Sequence, residues 1–449
     1  MITTTPAGRP LRHAAPVLLA LALCAPAPAS PPPAVDAELR AVAPDVVSWR
    51  RHLHQHPELG NREFETARFI AERLRGFGLG VETGIAHTGV AAWLKGGKPG
   101  PTVALRADMD ALPVTEQVDL PFASKVRTTY LGVETGVMHA CGHDTHVAML
   151  LGVAKVLAGM RDSLAGNVLF IFQPAEEGAP PGEQGGAKLM LAEGLFERYP
   201  PDVVFGQHIT SILPLGVIGY RSGPLMAAAD RFTITVTGRQ THGAAPWKGV
   251  DPITTAAQII LGAQTIVSRQ VDLSREPAVV SFGKVTGGTR GNIIPDSVEL
   301  VGTIRNLDMD TRELVHERLR LTAERIAESA GATATLVIDD DGYPVTANDP
   351  ALTPRALRSL ERANPEVRLL EIPKLMGAED FSWFARQVPG FYYFIGATPP
   401  DRDVDSAPPN HSPLFYIDET ALAIGTRSLL QLTLDYLEQA EHLPGGFSN

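Results

Sequence analysis

Cysteine is almost absent. Only Cys24 and Cys141 occur in 449 residues, and Cys24 falls in a stretch with the features of a cleavable leader. With Cys24 removed no internal disulfide can form, so the thiol left over is a reactive group or a ligand. Basic charge is also scarce: 39 Lys and Arg stand against 50 Asp and Glu, a net charge of −11. With no basic stripe, a nucleic-acid partner is excluded. Beyond the leader no apolar run is long enough to span a bilayer, so no transmembrane segment is expected in the mature chain. No internal repeat is found, and low complexity is confined to the N-terminus.

What remains is ordinary for a soluble globular enzyme: 44% apolar, 20% charged. The length suits two to three domains. Arg9, Arg12 and His13 precede an apolar run over 14–25, and Ala27-Pro28-Ala29 fits a small-x-small cleavage site. Residues 1–29 are therefore expected to be a signal peptide, with the protein exported to a periplasm or secreted. Leu21-Ala22-Leu23-Cys24 resembles a lipidation box, but Leu23 is too large for the position before the cysteine, which ranks anchoring second. Either way the folded part meets an oxidising compartment.

Helical periodicity is expected over 35–56 and 62–77, then buried strands over 89–94 and 102–107. A helix over 144–160, a strand over 166–172, a helix over 187–194 and a strand over 202–206 follow. Strands alternating with helices imply an α/β domain with a mostly parallel sheet. From about Ala229 the pattern changes. Alternation in RFTITVT (231–237), helices over 251–269 and 310–329, and strands over 278–285, 297–304 and 332–338 spell βαββαβ. That order predicts an inserted α+β domain, a four-stranded antiparallel sheet with two helices on one face. The expected boundaries are 35–226 for the first part of the catalytic domain, 227–338 for the insert and 339–449 for the returning part. The return passes through a strand at Tyr393 and ends on a helix over 418–441.

The chemistry concentrates in HACGHDTH (139–146) and the Glu176-Glu177 pair. Thiolate, imidazole and carboxylate are the ligand types of zinc-like sites. A small cysteine buried in a turn is the competing reading of Cys141. Asp108, Glu176-Glu177 and His208 each follow a predicted strand, where open α/β sheets bind ligands. Cys141, His143, Glu177, His208 and His411 can ligate metal. Two divalent ions about 3.5–4 Å apart, sharing a bridging ligand and a water, would use the set fully. Zn, Mn, Co and Ni all suit it. Glu176 can take the proton of metal-bound water and pass it to a leaving amine. Asp108 is placed to hold a ligand histidine through its other ring nitrogen. His139 and His146 are extra ligands or hydrogen-bonded scaffold. His54 and His56 read as a helix end. Glu379 and Asp380 are catalytic or, more in keeping with a base position already filled, structural.

Eight stretches in order carry a resemblance: RADMDALP (106–113), HACGHDTH (139–146), FQPAEEG (172–178), GGAKLMLAEG (185–194), THGAAPWKGVDPI (241–253), GNIIPDSVELVGTIR (291–305), MGAEDFSWF (376–384) and NHSPLFYIDE (410–419). The chain resembles the amidohydrolase branch of the dinuclear metallopeptidases, which includes aminoacylases, hippurate hydrolases, auxin-conjugate hydrolases and glutamate carboxypeptidases. The resemblance implies the same five ligands and Glu176 as general base. It implies a homodimer formed through the inserted domain, with His242 reaching the substrate carbonyl and Asn292 and Arg305 engaging a substrate carboxylate. By local chemistry alone, His242 and Asn292 could equally be turn residues. The reaction implied is metal-dependent hydrolysis of the amide bond of N-acyl or N-aroyl amino acids, with small-molecule substrates. An exported dipeptidase or carboxypeptidase is the alternative, and a metal-binding protein without catalysis is disfavoured by the presence of Glu176. Two departures stand out. His208 lacks the proline three residues on, and Arg106-Ala-Asp108 replaces the His-containing pattern of the carboxypeptidases.

Overall fold

The computed structural model describes residues 33–274 and 276–441. The leader expected over 1–29 lies outside the described residues, as do the last eight positions. The main sheet has eight strands in the order Gly80–Ile85, Gly89–Lys95, Ala165–Gln173, Lys98–Asp108, Val203–Pro214, Gly390–Thr398, Val217–Tyr220 and Arg368–Glu371. Its centre is parallel: Lys98–Asp108 pairs in parallel with both neighbours, and Val203–Pro214 with Gly390–Thr398. Antiparallel pairings flank that centre, so the sheet is mixed rather than uniformly parallel.

Helices cover both faces, which is why the central strands are near-continuous apolar runs. Alternate side chains go to opposite sides. Val103, Leu105 and Ala107 join the core beneath the helices Pro33–Gln55, His143–Gly159 and Ala421–Glu441. Ala104, Leu169 and Ile171 face the short helices Gly186–Ala192 and Ser382–Ala385.

The second sheet contains Ala228–Thr237, Ala278–Gly287, Ser297–Asn306 and Thr333–Ile338, all antiparallel. Phe232, Ile234, Val236, Leu300 and Ile304 pack beneath the helices Pro252–Arg269 and Met309–Ser329. Asp251 and Asp308 cap those helices through side-chain carboxylates, the usual device for unpaired first-turn amides. The connection back to the main sheet runs against the first strand of the insert, with Ala229 and Tyr343 exchanging backbone hydrogen bonds of 2.9 and 2.8 Å. A Cβ on Gly342 would lie 2.5 Å from Asp230 Oδ1 and 2.9 Å from Ala229 O, so this close crossing admits only glycine.

Two expectations about strands need correction. The strand anticipated over 202–206 runs on to Pro214, so His208 sits inside it rather than after it. Pairing with Lys98–Asp108 stops at Gly206, however, while pairing with Gly390–Thr398 continues past His208. His208 thus still lies where its inner neighbour has ended. The hairpin Arg127–Tyr130/Val133–Gly136 and the edge strands Gly80–Ile85 and Arg368–Glu371 were not anticipated.

Candidate metal centre

Cys141, Gly142 and His143 turn the chain into a buried helix. Gly142 has φ of 92°, and a Cβ there would meet Ile209 Cγ2 at 2.4 Å, so only glycine lets the Cys141–His143 turn press against the strand carrying His208. Cys141 Sγ is 3.3 Å from His208 Nε2. His208 Nδ1–H donates to the Ile209 carbonyl at 2.6 Å, leaving Nε2 as the unprotonated nitrogen. His411, held at φ of 73°, places Nε2 3.1 Å from Glu177 Oε1. A non-glycine residue at such a φ is strained, and strain of this kind clusters at functional sites.

Among the described residues, five triads bring one ligand atom from each member within 4.8 Å, and three of them hold the expected ligands: Cys141–His143–His208, Cys141–Glu177–His411 and His143–Glu176–Glu177. All five sequence-predicted ligands are therefore brought together, and the first two triads share the thiol. His143 Nε2 is buried without a hydrogen-bond partner, 3.9 Å from Glu177 Oε1 and 4.0 Å from Glu176 Oε2. Buried polar atoms rarely go unpaired, so this orphan facing two carboxylates fits a cation between them.

Asp108 is placed differently from the expectation. Its Oδ1 is 2.5 Å from His146 Nδ1 and 3.8 Å from His143 Nδ1. The carboxylate within hydrogen-bond distance of the ligand His143 is Asp110, at 3.1 Å. The strand ends at Asp108, so side-chain alternation no longer predicts which aspartate faces the ring. Asp110 also accepts from the Glu177 amide at 2.9 Å. Asn410 is a further positioning residue that the motifs contain without announcing it. Its amide donates to the carbonyls of Cys141 at 3.0 Å and Ile209 at 3.2 Å, stapling three ligand-bearing segments.

Of the remaining histidines, His146 is scaffold: its Nε2 accepts from the Ile209 amide at 2.8 Å. His139 is buried with both ring nitrogens unpaired, and burial pushes its pKa down to about 4. His54 lies in the last turn of the helix Pro33–Gln55, as expected, but its ring caps no carbonyl there: it is buried between Asp144 at 2.9 Å and Glu116 at 3.1 Å. His56 does meet a helix-end carbonyl, that of His52, at 2.8 Å.

Glu379 and Asp380 are anchors for Arg106. That guanidinium is fully buried and donates to Gln173, Asp108, Glu379 and Asp380 at 2.8, 2.6, 2.9 and 2.9 Å. Glu176 nevertheless lies within 4.8 Å of both acids. Burial, reinforced by the Glu379 and Glu177 charges, pushes the Glu176 carboxyl well above its usual range. The loop carrying it is held at each peptide. Ala175, at φ of 50°, donates its amide to Glu63 at 2.9 Å. The Glu176 carbonyl accepts from the Tyr343 hydroxyl at 2.6 Å.

His242, Asn292 and Arg305 are not gathered at this cluster. His242 is exposed on a two-residue strand paired with Ile293–Ile294, and the Gly243 amide donates to the Asn292 carbonyl at 2.8 Å. His242 Nδ1 accepts from the Ala244 amide at 2.9 Å, which makes Nε2 the proton-bearing nitrogen. Arg305 pairs with Ala229 across the second sheet and contacts the Ile304 carbonyl at 3.0 Å. No acidic side chain among the described residues forms an ion pair with it.

A donor set of thiol, imidazoles and carboxylates beside a buried glutamate defines a metal-dependent hydrolase. The chain belongs to peptidase family M20/M25/M40, whose model matches residues 104–435. It is 42% identical over 389 residues to thermostable carboxypeptidase 1 of Saccharolobus solfataricus, covering 86% of this chain and 94% of that one. It is 38% identical over 384 residues to an N-acetyl-L-cysteine deacetylase of Bacillus subtilis, covering 86% of each. The crystal structure of the Bacillus subtilis YXEP protein, a dinuclear metal binding peptidase of the M20 family, superposes with a TM-score of 0.73 at 36% identity, over 89% of this chain and 99% of that one. The protein is a metal-dependent peptidase or amidohydrolase with a site for two divalent ions.

The protonation of the site makes metal binding pH-dependent. Burial lowers the His143 pKa, but the Asp108 charge and the Asp110 hydrogen bond outweigh it and raise it to about 10. The Glu177 carboxylate raises that of His411, and burial raises that of Cys141. His143 and Cys141 carry protons in the metal-free site at neutral pH, and a metal must displace them. Affinity should therefore rise with pH, by roughly tenfold per pH unit for each proton displaced. Titration calorimetry in buffers of different ionisation enthalpy checks this; metal uptake without proton release would contradict it.

Tyr343→Phe should separate placement of the base from metal binding. It leaves the buried Glu176 carbonyl unpaired, at a stability cost of about 1–3 kcal/mol. The expectation is a kcat about tenfold lower with metal content intact; an unchanged kcat would show that this contact does not place the base.

Proposed function

We propose that this enzyme hydrolyses the amide bond of N-acyl or N-aroyl amino acids, hippurate-like compounds among them. Metals held by Cys141, His143, Glu177, His208 and His411 would lower the pKa of water and polarise the scissile carbonyl. Glu176 would take the water's proton and deliver it to the leaving amine. The observation that carries this reading is the burial of Glu176 within 4.8 Å of His143 and Glu177, with no metal ligation required of it. A raised pKa suits a group that must both accept and return a proton. Relatives described as an N-acyl-L-amino acid amidohydrolase of Geobacillus stearothermophilus and an IAA-amino acid hydrolase of Arabidopsis thaliana support the substrate class. The thermostable carboxypeptidases favour a second reading, cleavage of short peptides. The two differ in whether a free ammonium is accepted on the acyl side. Zn, Mn, Co or Ni would serve, and we further propose export, guided by residues 1–29.

Recognition of the other half of the substrate is assigned to the inserted domain. Arg305, without an acidic partner of its own, would take the α-carboxylate bidentately, and Asn292 would add a donor. His242 would donate through Nε2 to the carbonyl oxygen as charge builds on it. Because His242 is exposed and apart from the ligands, we propose that the working enzyme is a homodimer in which it serves the partner's site.

Turnover of hippurate and other N-acyl amino acids against plain dipeptides distinguishes the two readings. Glu176→Gln should lower kcat by about 10²–10⁴-fold with metal retained, whereas Glu177→Gln should lose metal. Equal metal loss in both would refute the division of roles. Mixing His242→Ala with Glu176→Gln should restore part of the activity through hybrid dimers. Absence of recovery after demonstrated subunit exchange would place His242 in its own chain's site or outside the reaction.

A further inference from the structure

One hairpin beside the metal centre takes no part in the chemistry described above. Strands Arg127–Tyr130 and Val133–Gly136 are joined by Leu131 and Gly132, at φ of 50° and 81°. Turns with two such residues normally carry Asn-Gly or Asp-Gly, because most side chains resist positive φ. Leu131 is nonetheless a branched apolar residue, 68% exposed, and Val133 beside it is 66% exposed. Neither burial nor turn preference accounts for a leucine there.

The hairpin's base is firmly placed. Thr135 Oγ1 donates to the Pro113 carbonyl at 3.1 Å, and the Gly136 amide to Thr115 Oγ1 at 2.9 Å. The Gln117 amide donates to the Pro413 carbonyl at 2.9 Å. The hairpin is thereby tied to the segments that follow Asp110 and His411. Its tip bounds a cavity of about 360 Å³ whose lining runs from Tyr130 and Leu131 past Leu112 and Pro180 to Asp110 and Glu177. The metal ligand Glu177 and the exposed leucine thus open onto one space.

We propose that this hairpin is the acyl-side subsite, in which Tyr130 and Leu131 hold an apolar acyl or aroyl group. The proposal rests on the N-acyl amino acid reading above and narrows it to substrates with extended apolar acyl groups. Apolar area removed from water between Leu131, Tyr130 and Pro180 favours binding in proportion to its size. A polar group placed at the hairpin tip would lose water against leucine and proline. The subsite therefore discriminates by the size and apolarity of the acyl group.

Leu131→Asn tests this without endangering the fold, because asparagine suits the turn better than leucine. In the metal-loaded wild type, kcat/KM should rise from N-acetyl to N-hexanoyl and N-benzoyl forms of one amino acid. In Leu131→Asn the hexanoyl-to-acetyl ratio should fall about tenfold. A ratio unchanged within twofold would overturn the proposal. So would an unchanged ratio accompanied by a shift in oligomeric mass, which would make the tip a subunit contact. Calorimetric binding of hexanoate and acetate provides an arm independent of turnover. Tighter hexanoate binding in wild type that is lost in Leu131→Asn supports the subsite, and equal binding of the two overturns it. If no N-acyl amino acid is cleaved, the reaction assignment fails, and this arm still decides the subsite.

Discussion

Arg106 is the fixed cation of a site otherwise built from acids. Asp108, Glu379 and Asp380 all bond to it, and Glu176 lies within 4.8 Å of the last two. Burying four carboxylates around one guanidinium is tolerable only because each donor finds its own acceptor, in the planar geometry that arginine provides and lysine cannot. The Arg106 charge outweighs burial in holding Asp108 ionised, together with the His143 and His146 rings. Burial, with the Glu379 charge adding to it, pushes Asp380 up to about 7 despite Arg106. On the far side of Glu176, the half-buried Glu177 faces imidazoles and a thiol, whose protons a divalent ion would replace. The same electrostatic requirement therefore fixes both the scaffold and the cofactor.

Precision at the base follows from the number of independent segments that hold its loop. Glu63 comes from the start of the second helix, Asp110 from the end of a central strand and Tyr343 from the return of the inserted domain. Removing any one leaves a buried peptide group unpaired, so the loop is over-determined and a left-handed Ala175 can persist. The Tyr343 contact has an extra consequence. Its residue is also paired to Ala229, the second residue of the insert's first strand, so one tyrosine bonds both to the inserted domain and to the backbone of the base.

Much of this was legible in the sequence, for a physical reason. Polar residues that punctuate apolar strands must be satisfied, and Cys141, His143, Glu176 and Glu177 could be satisfied together only by a metal and its water. The alternation and length of RFTITVT and its neighbours likewise marked the inserted sheet. What escaped was geometry at ends. Asp110 rather than Asp108 faces His143 because the strand stops between them, and period-two reasoning stops with it. His208 reads as lying past the strand because the apolar run breaks at Gly206-Gln207, whereas the strand continues to Pro214. The hairpin at 127–136 is short, largely polar and turned by Leu-Gly instead of Asn-Gly, so neither pattern nor turn chemistry announced it. His54 does stand at a helix end, but its burial between Glu116 and Asp144 escaped because those acids are distant in sequence.

The structure divides the labour between two kinds of surface. The metal-binding half is assembled from buried strand ends, a helix start and loops with every peptide group engaged, and its residues have little freedom to vary without loss of charge balance. The surfaces that would choose a substrate are of the opposite kind. His242 is exposed, Arg305 forms no ion pair among the described residues, and Leu131 stands in water at a turn that disfavours it. Groups left unsatisfied by their own fold are those with most to gain from a ligand, since no internal partner has to be given up on binding. Hydrolysis of a linear amide is thus a property of the rigid half. On the proposed reading, the choice of acyl group and amino acid would fall to the hairpin and the inserted sheet, neither of which supplies a metal ligand.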